Sequence, residues 1–324
     1  MSEGNELNRI ILHIGAHKTA STHFHRLMRA NAARLTPGDV HVAKKEDIRR
    51  NLTRQIRQMR RVFSGSGHRQ DMPGGVGARM AGTAQTLFLS DENLIGTSQN
   101  LLGHRFDGVS WLGSRRWLRA WLARMFGRPL IYPHAERRMV IVSRMLSGVD
   151  QEIYIAIRNP VTFLASNYCE TIRFHGYQDF AEYRRGIDAA ALSWAAFIQR
   201  LSDTLPGVPI TVWRQEDYPQ VAPQLVARVL DVKQKRVRIP AKLQEVVRPG
   251  LSARAVEGIA ALCRDKPDRW TRDEIEAIAE EFPRSESNPP PSLLTPEEAA
   301  ELDAQYRDDL QTIAAMPGVT LIAP

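Results

Sequence analysis

Cysteine is scarce. Cys169 and Cys263 are the only two in 324 residues. They match neither a metal-ligand spacing nor a disulfide framework, so reduced thiols are expected. Long apolar runs are also missing. No stretch approaches the roughly 18 apolar residues of a membrane-crossing helix. The opening residues, MSEGNELNR, are polar and unlike a secretory leader. These absences make a cytoplasmic protein without a transmembrane segment the expectation. Aromatics reach only 7%. They do not interleave with the basic clusters at 49–61, 115–124 and 233–238 as an RNA-binding surface would require, and zinc-finger spacing is absent. Nucleic acid is therefore not an expected partner.

The rest of the composition is ordinary for a globular chain, 43% hydrophobic and 25% charged, and allows one large domain or two small ones. A formal net charge of +8 suits a polyanionic ligand.

Hydrophobic patterning alternates strands with helices. Strands are expected at Ile10–Ile14, Val40–Ala43, Gln85–Ser90, Ile153–Ile157 and Ile210–Trp213. Helices are expected from Thr22 through Leu35, then at Lys44–Val62, Arg115–Phe126, Ala135–Leu146, Phe163–Ile172, Asp188–Leu201, Val221–Leu230, Arg254–Cys263, Asp273–Glu281 and Pro296–Ala315. Thr295 and Glu298 stand where a capping box would place them. The Gly-rich stretch 64–82 reads as a long loop, and no internal repeat is visible. The fold class expected is three-layer α/β with a largely parallel central sheet and a P-loop-like phosphate-binding loop. Ligands of such sheets bind beyond the carboxyl ends of the strands. That singles out Gly15–Thr22, Ser90–Asn93 and Arg158–Ser166.

The first of these joins a buried strand, a small-residue turn containing Lys18, and a helix. Backbone N–H groups and a helix N-terminus there favour a phosphate. The GxxxxGK pattern of a nucleoside-triphosphate loop is absent, and no obvious magnesium partner follows, though Asp91 leaves that question open. His13, His17, His23 and His25 crowd the same stretch. His13 lies on a strand, and His23 and His25 are two apart on a helix, so a shared metal is not expected. His17 is the one placed to face a ligand.

The loop GAHKTASTHF resembles the 5'-phosphosulfate loop of the PAPS-dependent sulfotransferases. IYIAIRNPVTFLASNY resembles that family's 3'-phosphate motif, with Arg158, Asn159, Pro160, Ser166 and Tyr168 at the matching positions. The resemblance spans roughly 10–222, with WRQEDY similar to the family's post-strand segment and the C-terminal part like bacterial members. Two departures stand out. Ala20 replaces the usual Gly, and the late Arg-Lys-Gly segment has only Arg248-Pro249-Gly250 as a stand-in.

What the resemblance implies is a transferase using PAPS, with adenosine 3',5'-bisphosphate (PAP) as product and no metal. Gly15, Ala16, His17, Lys18, Thr19, Ala20, Ser21, Thr22, Arg158, Ser166 and Arg248 would bind the donor. Lys18 would neutralise the leaving oxygen. The acceptor's proton would go to Glu92, with Asp91, Glu46, Asp47 and His17 as rivals. The domain expected is 1–284, with an inserted region near 64–150, followed by a Pro-rich linker and helix at 285–324 packed on it. The acceptor is a carbohydrate, lipid or small metabolite, and a homo-oligomer is compatible with the sequence. An ATP-dependent small-molecule kinase and a non-catalytic nucleotide-binding scaffold are the alternative readings.

Overall fold

The computed structural model describes residues 6–56, 75–98, 101–103, 130–184, 192–243, 250–267 and 269–324. Its centre is a six-stranded, wholly parallel sheet. The strands are β1 (Arg9–His13), β2 (Val40–Val42), β3 (Thr86–Ser90), β6 (Asp150–Ile157), β7 (Ile210–Arg214) and β8 (Val319–Ile322), in the spatial order β2-β3-β1-β6-β7-β8. Two short strands, β4 (Leu102–Gly103) and β5 (Leu130–Ile131), form a separate antiparallel pair.

The strands read as nearly continuous apolar runs because both faces of the sheet are covered. Their alternation divides the core in two. Ile10, Leu12, Leu87, Leu89, Ile153, Ile155 and Val212 face one cluster. Ile11, Phe88, Tyr154, Ala156 and Trp213 face the other. The second cluster is closed by α1 (Ser21–Leu35) and by α8 (Tyr218–Leu230). The first is closed by α4 (Ala135–Met145), α5 (Pro160–His175), α7 (Trp194–Thr204), α9 (Ala253–Asp265) and α11 (Pro296–Ala315). The fold is thus α/β with helices on both sides of a parallel sheet.

Three shorter helices, α2 (Lys45–Ile48), α3 (Val76–Ala81) and α6 (Phe180–Arg184), and the peripheral α10 (Arg272–Glu281) complete the described elements used below. The helix expected at Lys44–Val62 begins with α2, widens into a π-helical stretch at Arg49–Thr53 and tightens again over 54–56, and its remainder lies outside the described residues. The stretch read as loop contains α3. Of the helix expected at Asp188–Leu201, residues 188–191 lie outside the described residues, and α7 begins at Trp194, where the Ser193 side chain caps it by accepting from Ala196 N. Before α11 the expected capping box forms, with Thr295 and Glu298 satisfying each other's backbone N–H groups. The edge strand β8 follows α11 and was not anticipated. The expected helix at Arg115–Phe126 lies outside the described residues.

Chain order explains where a site belongs. From β1 the chain moves one way to β2 and β3, then crosses to β6 and beyond. The reversal occurs at β1, and the crevice at its carboxyl end is the ligand position of such sheets. β6 outlasts β1. His13 pairs with Tyr154, and three residues of β6 remain. The loop after β1 follows this overhang, with Ile14 N bonding Tyr154 O at 3.0 Å and Ala16 N bonding Ala156 O at 3.3 Å. The ends of both segments are thereby brought side by side.

Candidate active site

The loop from Ile14 to Ala20 is held by its own small residues. Thr19 Oγ1 donates to Ala16 O at 2.5 Å. Lys18 and Ala20 both take left-handed backbone angles, φ 64° and 59°. Ala20 therefore occupies a conformation that glycine reaches more readily, at a cost of roughly 1–2 kcal/mol for an L-residue. Gly15 is needed for a different reason. A Cβ there would lie 2.8 Å from both His13 Nε2 and Ser21 Oγ. Ala20 offers no side-chain cap to α1. The first N–H groups of that helix thus remain directed out of its N-terminus, where an anion is favoured.

Arg158 follows β6 directly. Its Nη1 donates to Lys18 O at 3.0 Å and its Nε to Thr162 Oγ1 at 3.0 Å. Burial pulls the guanidinium below its ordinary value, and nearby Glu216 opposes this. Asn159 caps α5 by accepting from Val161 N at 2.9 Å, with Pro160 in the first turn. Its own N–H donates to Glu216 Oε1 at 2.7 Å, and its amide to Asp303 Oδ1 at 2.6 Å. Trp194 Nε1 donates to Arg158 O at 2.7 Å. The arginine is thus held at its carbonyl by Trp194, and the residue after it by Glu216 and Asp303.

Thr162, Ser166 and Glu170 recur every four residues on α5 and share one face. Thr162 touches Arg158, and Glu170 Oε2 accepts from Lys18 Nζ at 3.1 Å. Ser166, half-buried between them, lies on the face turned to the loop. The Lys18–Glu170 pair is about one quarter exposed on each side.

The opposite wall comes from β3. Asp91 is fully buried and serves as an anchor. It accepts from Asn93 N and Nδ2, both at 3.1 Å, and from Arg49 Nε and Thr53 Oγ1, both at 3.3 Å. Glu92 turns the other way, 3.4 Å from Lys45 Nζ, which is also 3.4 Å from Thr22 Oγ1 at the start of α1. Burial alone would raise the Glu92 carboxyl. Lys45, its own backbone N–H and His17 outweigh that and hold it below the ordinary range. Glu92 is an ionised carboxylate at neutral pH. Glu46 is exposed and Asp47 half-buried on α2.

His17 stands between the walls. Its backbone N–H donates to Tyr132 Oη at 2.8 Å, and its Nδ1 lies 2.9 Å from the same oxygen. Tyr132 is fully buried. Its hydroxyl satisfies both contacts by accepting from the backbone and donating to Nδ1. That leaves the proton on Nε2. Burial lowers the His17 ring below its ordinary value, so the neutral form prevails at pH 7. With Nδ1 occupied and Nε2 protonated, His17 is arranged to donate rather than to take a proton. Tyr132 itself has φ 49°.

The four histidines of this region part company. His13 is buried with Nδ1 2.8 Å from Ser90 Oγ, and burial pushes it down to about 3. His23 contacts Tyr218 Oη and Leu243 O, both at 2.7 Å, and His25 contacts Ala43 O at 2.9 Å. Among the described residues no group of three or more metal-ligating side chains forms, and no helix is long and apolar enough to cross a membrane.

Gly15 to Thr22, Glu92, Arg158 and Ser166 thus meet at the carboxyl ends of three adjacent strands. Arg248 lies outside the described residues. Glu170, Lys45 and Tyr132 lie outside the segments that the sequence singles out. Glu170 was within reach of the sequence, since it continues the Thr162–Ser166 spacing. Tyr132 follows a stretch with no pattern pointing to the loop.

No protein-family model matches the chain, and no curated protein matches it significantly. The crystal structure of a sulfotransferase from Alicyclobacillus acidocaldarius is similar at 17% identity, over 87% of this chain and 97% of that one, with a TM-score of 0.35. So slight a likeness carries no weight for the reaction.

Proposed function

We propose that the protein transfers a sulfuryl group from PAPS to a hydroxyl or amine. One observation carries the reading. Arg158 Nη1 donates to Lys18 O at 3.0 Å, so two motifs 140 positions apart share one bond at the end of adjacent strands. A lysine, an arginine and an uncapped helix N-terminus then converge within one crevice, which suits a ligand with phosphates at two positions.

The residues present fit that donor. Ser21 Oγ is buried without a hydrogen-bond partner among the described residues, beside the outward N–H groups of α1. Thr19 to Thr22 would hold the 5'-phosphate, and Arg158 with Ser166 the 3'-phosphate. The donor supplies an activated sulfur whose bond to the 5'-phosphate oxygen is the one broken. Lys18 would leave Glu170 and place its ammonium on that oxygen as charge develops there. Glu92, ionised and beside His17, would take the acceptor's proton as the new oxygen–sulfur or nitrogen–sulfur bond forms. His17 Nε2–H would donate to the incoming group and orient it.

The test is transfer of radiolabelled sulfur from PAPS to a panel of hydroxylated acceptors by the wild type, Lys18→Ala and Glu92→Gln. Loss of a proton acceptor costs roughly 10²-fold or more in kcat. Glu92→Gln should lose that much while binding PAP unchanged. Unimpaired transfer by both variants would overturn the assignment of roles, and no transfer to any acceptor would overturn the reaction.

A further inference from the structure

The net charge is not spread over the molecule. Residues 21–38, covering α1 and its end, contain Arg26, Arg29 and Arg34 and no acidic residue. Residues 232–243 contain Lys233, Lys235, Arg236, Arg238 and Lys242, again with no acidic residue. These eight cations equal the whole formal excess of +8, so the remainder of the chain is balanced.

The two stretches lie against each other. Asn31 Nδ2 donates to Arg238 O at 2.9 Å, and Arg238 N donates back to Asn31 Oδ1 at 3.0 Å. Arg34 Nη2 donates to Arg236 O. His23 Nε2 is 2.7 Å from Leu243 O. The strap thus follows α1 from its last turn to its first, about 17 Å at 1.5 Å per residue. All eight side chains are exposed. None is ion-paired among the described residues. Asp231 directly precedes the strap and Asp39 directly follows the α1 stretch, both exposed and both at the end of the track away from the phosphate loop. The track ends at the first turn of α1, beside the phosphate loop.

We propose that this track binds a linear acidic polysaccharide and leads it to the mouth of the site. A surface of one charge without counter-ions attracts polyanions. The stretches expose no aromatic side chain on which bases could stack, which disfavours single-stranded nucleic acid. Ile239 is their one large exposed apolar residue, too little to anchor a lipid surface. An acidic polysaccharide supplies both the charges for the track and the hydroxyls a transferase needs. This last step rests on the sulfuryl-transfer reading, whereas binding to the track does not.

The experiment measures binding of fluorescent alginate oligosaccharide, with neutral dextran, single-stranded DNA and phosphatidylserine vesicles as rivals. Each is tested on the full chain and on the triple variant Lys233→Gln, Lys235→Gln, Arg238→Gln. Thermal melting checks that the variant folds, and PAP binding is measured in parallel. Alginate should bind in preference to all three rivals, weaken about fifty-fold between 50 and 200 mM salt if four contacts form at a slope of about −0.7 each, and weaken at least ten-fold in the variant. Preference for DNA or vesicles, no alginate binding, or equal binding by the folded variant would overturn the proposal. Alginate binding that depends on the track without any PAP binding would leave the surface standing and remove the transferase reading alone.

Discussion

Replacing Tyr132 by Phe removes one oxygen, and the structure says what it was doing. That oxygen accepts from His17 N at 2.8 Å and meets His17 Nδ1 at 2.9 Å. Without it a half-buried backbone N–H loses its partner, at a cost of about 1–2 kcal/mol. The ring keeps its place. Tyr132 N donates to Leu101 O at 2.7 Å, and the ring packs 5.4 Å from Phe197. The left-handed backbone, φ 49°, is unaffected by the change, so no strain is relieved in compensation. With about 2.1 cal/mol/K of unfolding entropy per residue, a chain of 324 residues has roughly 0.7 kcal/mol/K. Tm should therefore fall by about 1.5–3 °C. Imidazole nitrogen NMR supplies the sharper readout. The wild type should show His17 neutral at pH 7 with the proton on Nε2, and the variant a mixture of tautomers. An unchanged Tm together with an unchanged tautomer would refute the claim that the phenol sets the ring.

Ala20→Gly should stabilise the protein by roughly 0.5–1 kcal/mol, because relief of the left-handed cost exceeds the entropy glycine adds to the unfolded chain; urea midpoints measure it, and a loss of stability would contradict the strain argument. Glu170→Gln should strengthen PAP binding about two- to five-fold by releasing Lys18 from a partly exposed pair worth at most about 1 kcal/mol; calorimetry decides, with weaker binding the adverse result. His13 is neutral in the folded core down to about 3 but titrates at 6.5 when unfolded. The unfolded chain thus binds the extra proton between those values, and stability falls as pH drops through that window. The loss from His13 between pH 6.5 and 4.5 is roughly 2–3 kcal/mol at 1.36 kcal/mol per unit. Urea unfolding of His13→Gln should show a shallower acid slope, and an identical slope would refute the assignment.

Much of this architecture was legible because it rests on local signals. The apolar run of β1, the small residues behind it and the Arg-Asn-Pro at the end of β6 announce a parallel sheet and its ligand end. The cap set by Asn159, with Pro160 in the first turn, is equally a short-range device. Sequence could not show which groups the loop would meet. Tyr132 reaches His17 across 115 positions, and Lys45 meets Glu92 across 47. Those contacts follow from how layers stack on the sheet rather than from spacing along the chain. Strand β8 escaped notice because VTLI is four residues long, and its pairing with β7 exists only once α11 has returned the chain to the edge. Asp91 and Glu92 are neighbours of the same charge type. Only the structure separates them, with one carboxylate buried among four donors and the other facing Lys45 and His17.

The most direct test of the central claim is calorimetric titration with PAP and, separately, with ATP–magnesium, on the wild type and on Arg158→Ala. The account predicts that PAP binds in preference to ATP–magnesium, without dependence on magnesium, and at least ten-fold more weakly in Arg158→Ala, since a charge-assisted contact to phosphate is worth about 1.5–3 kcal/mol. Preference for ATP–magnesium, no nucleotide binding, or PAP binding that ignores the loss of Arg158 would contradict it.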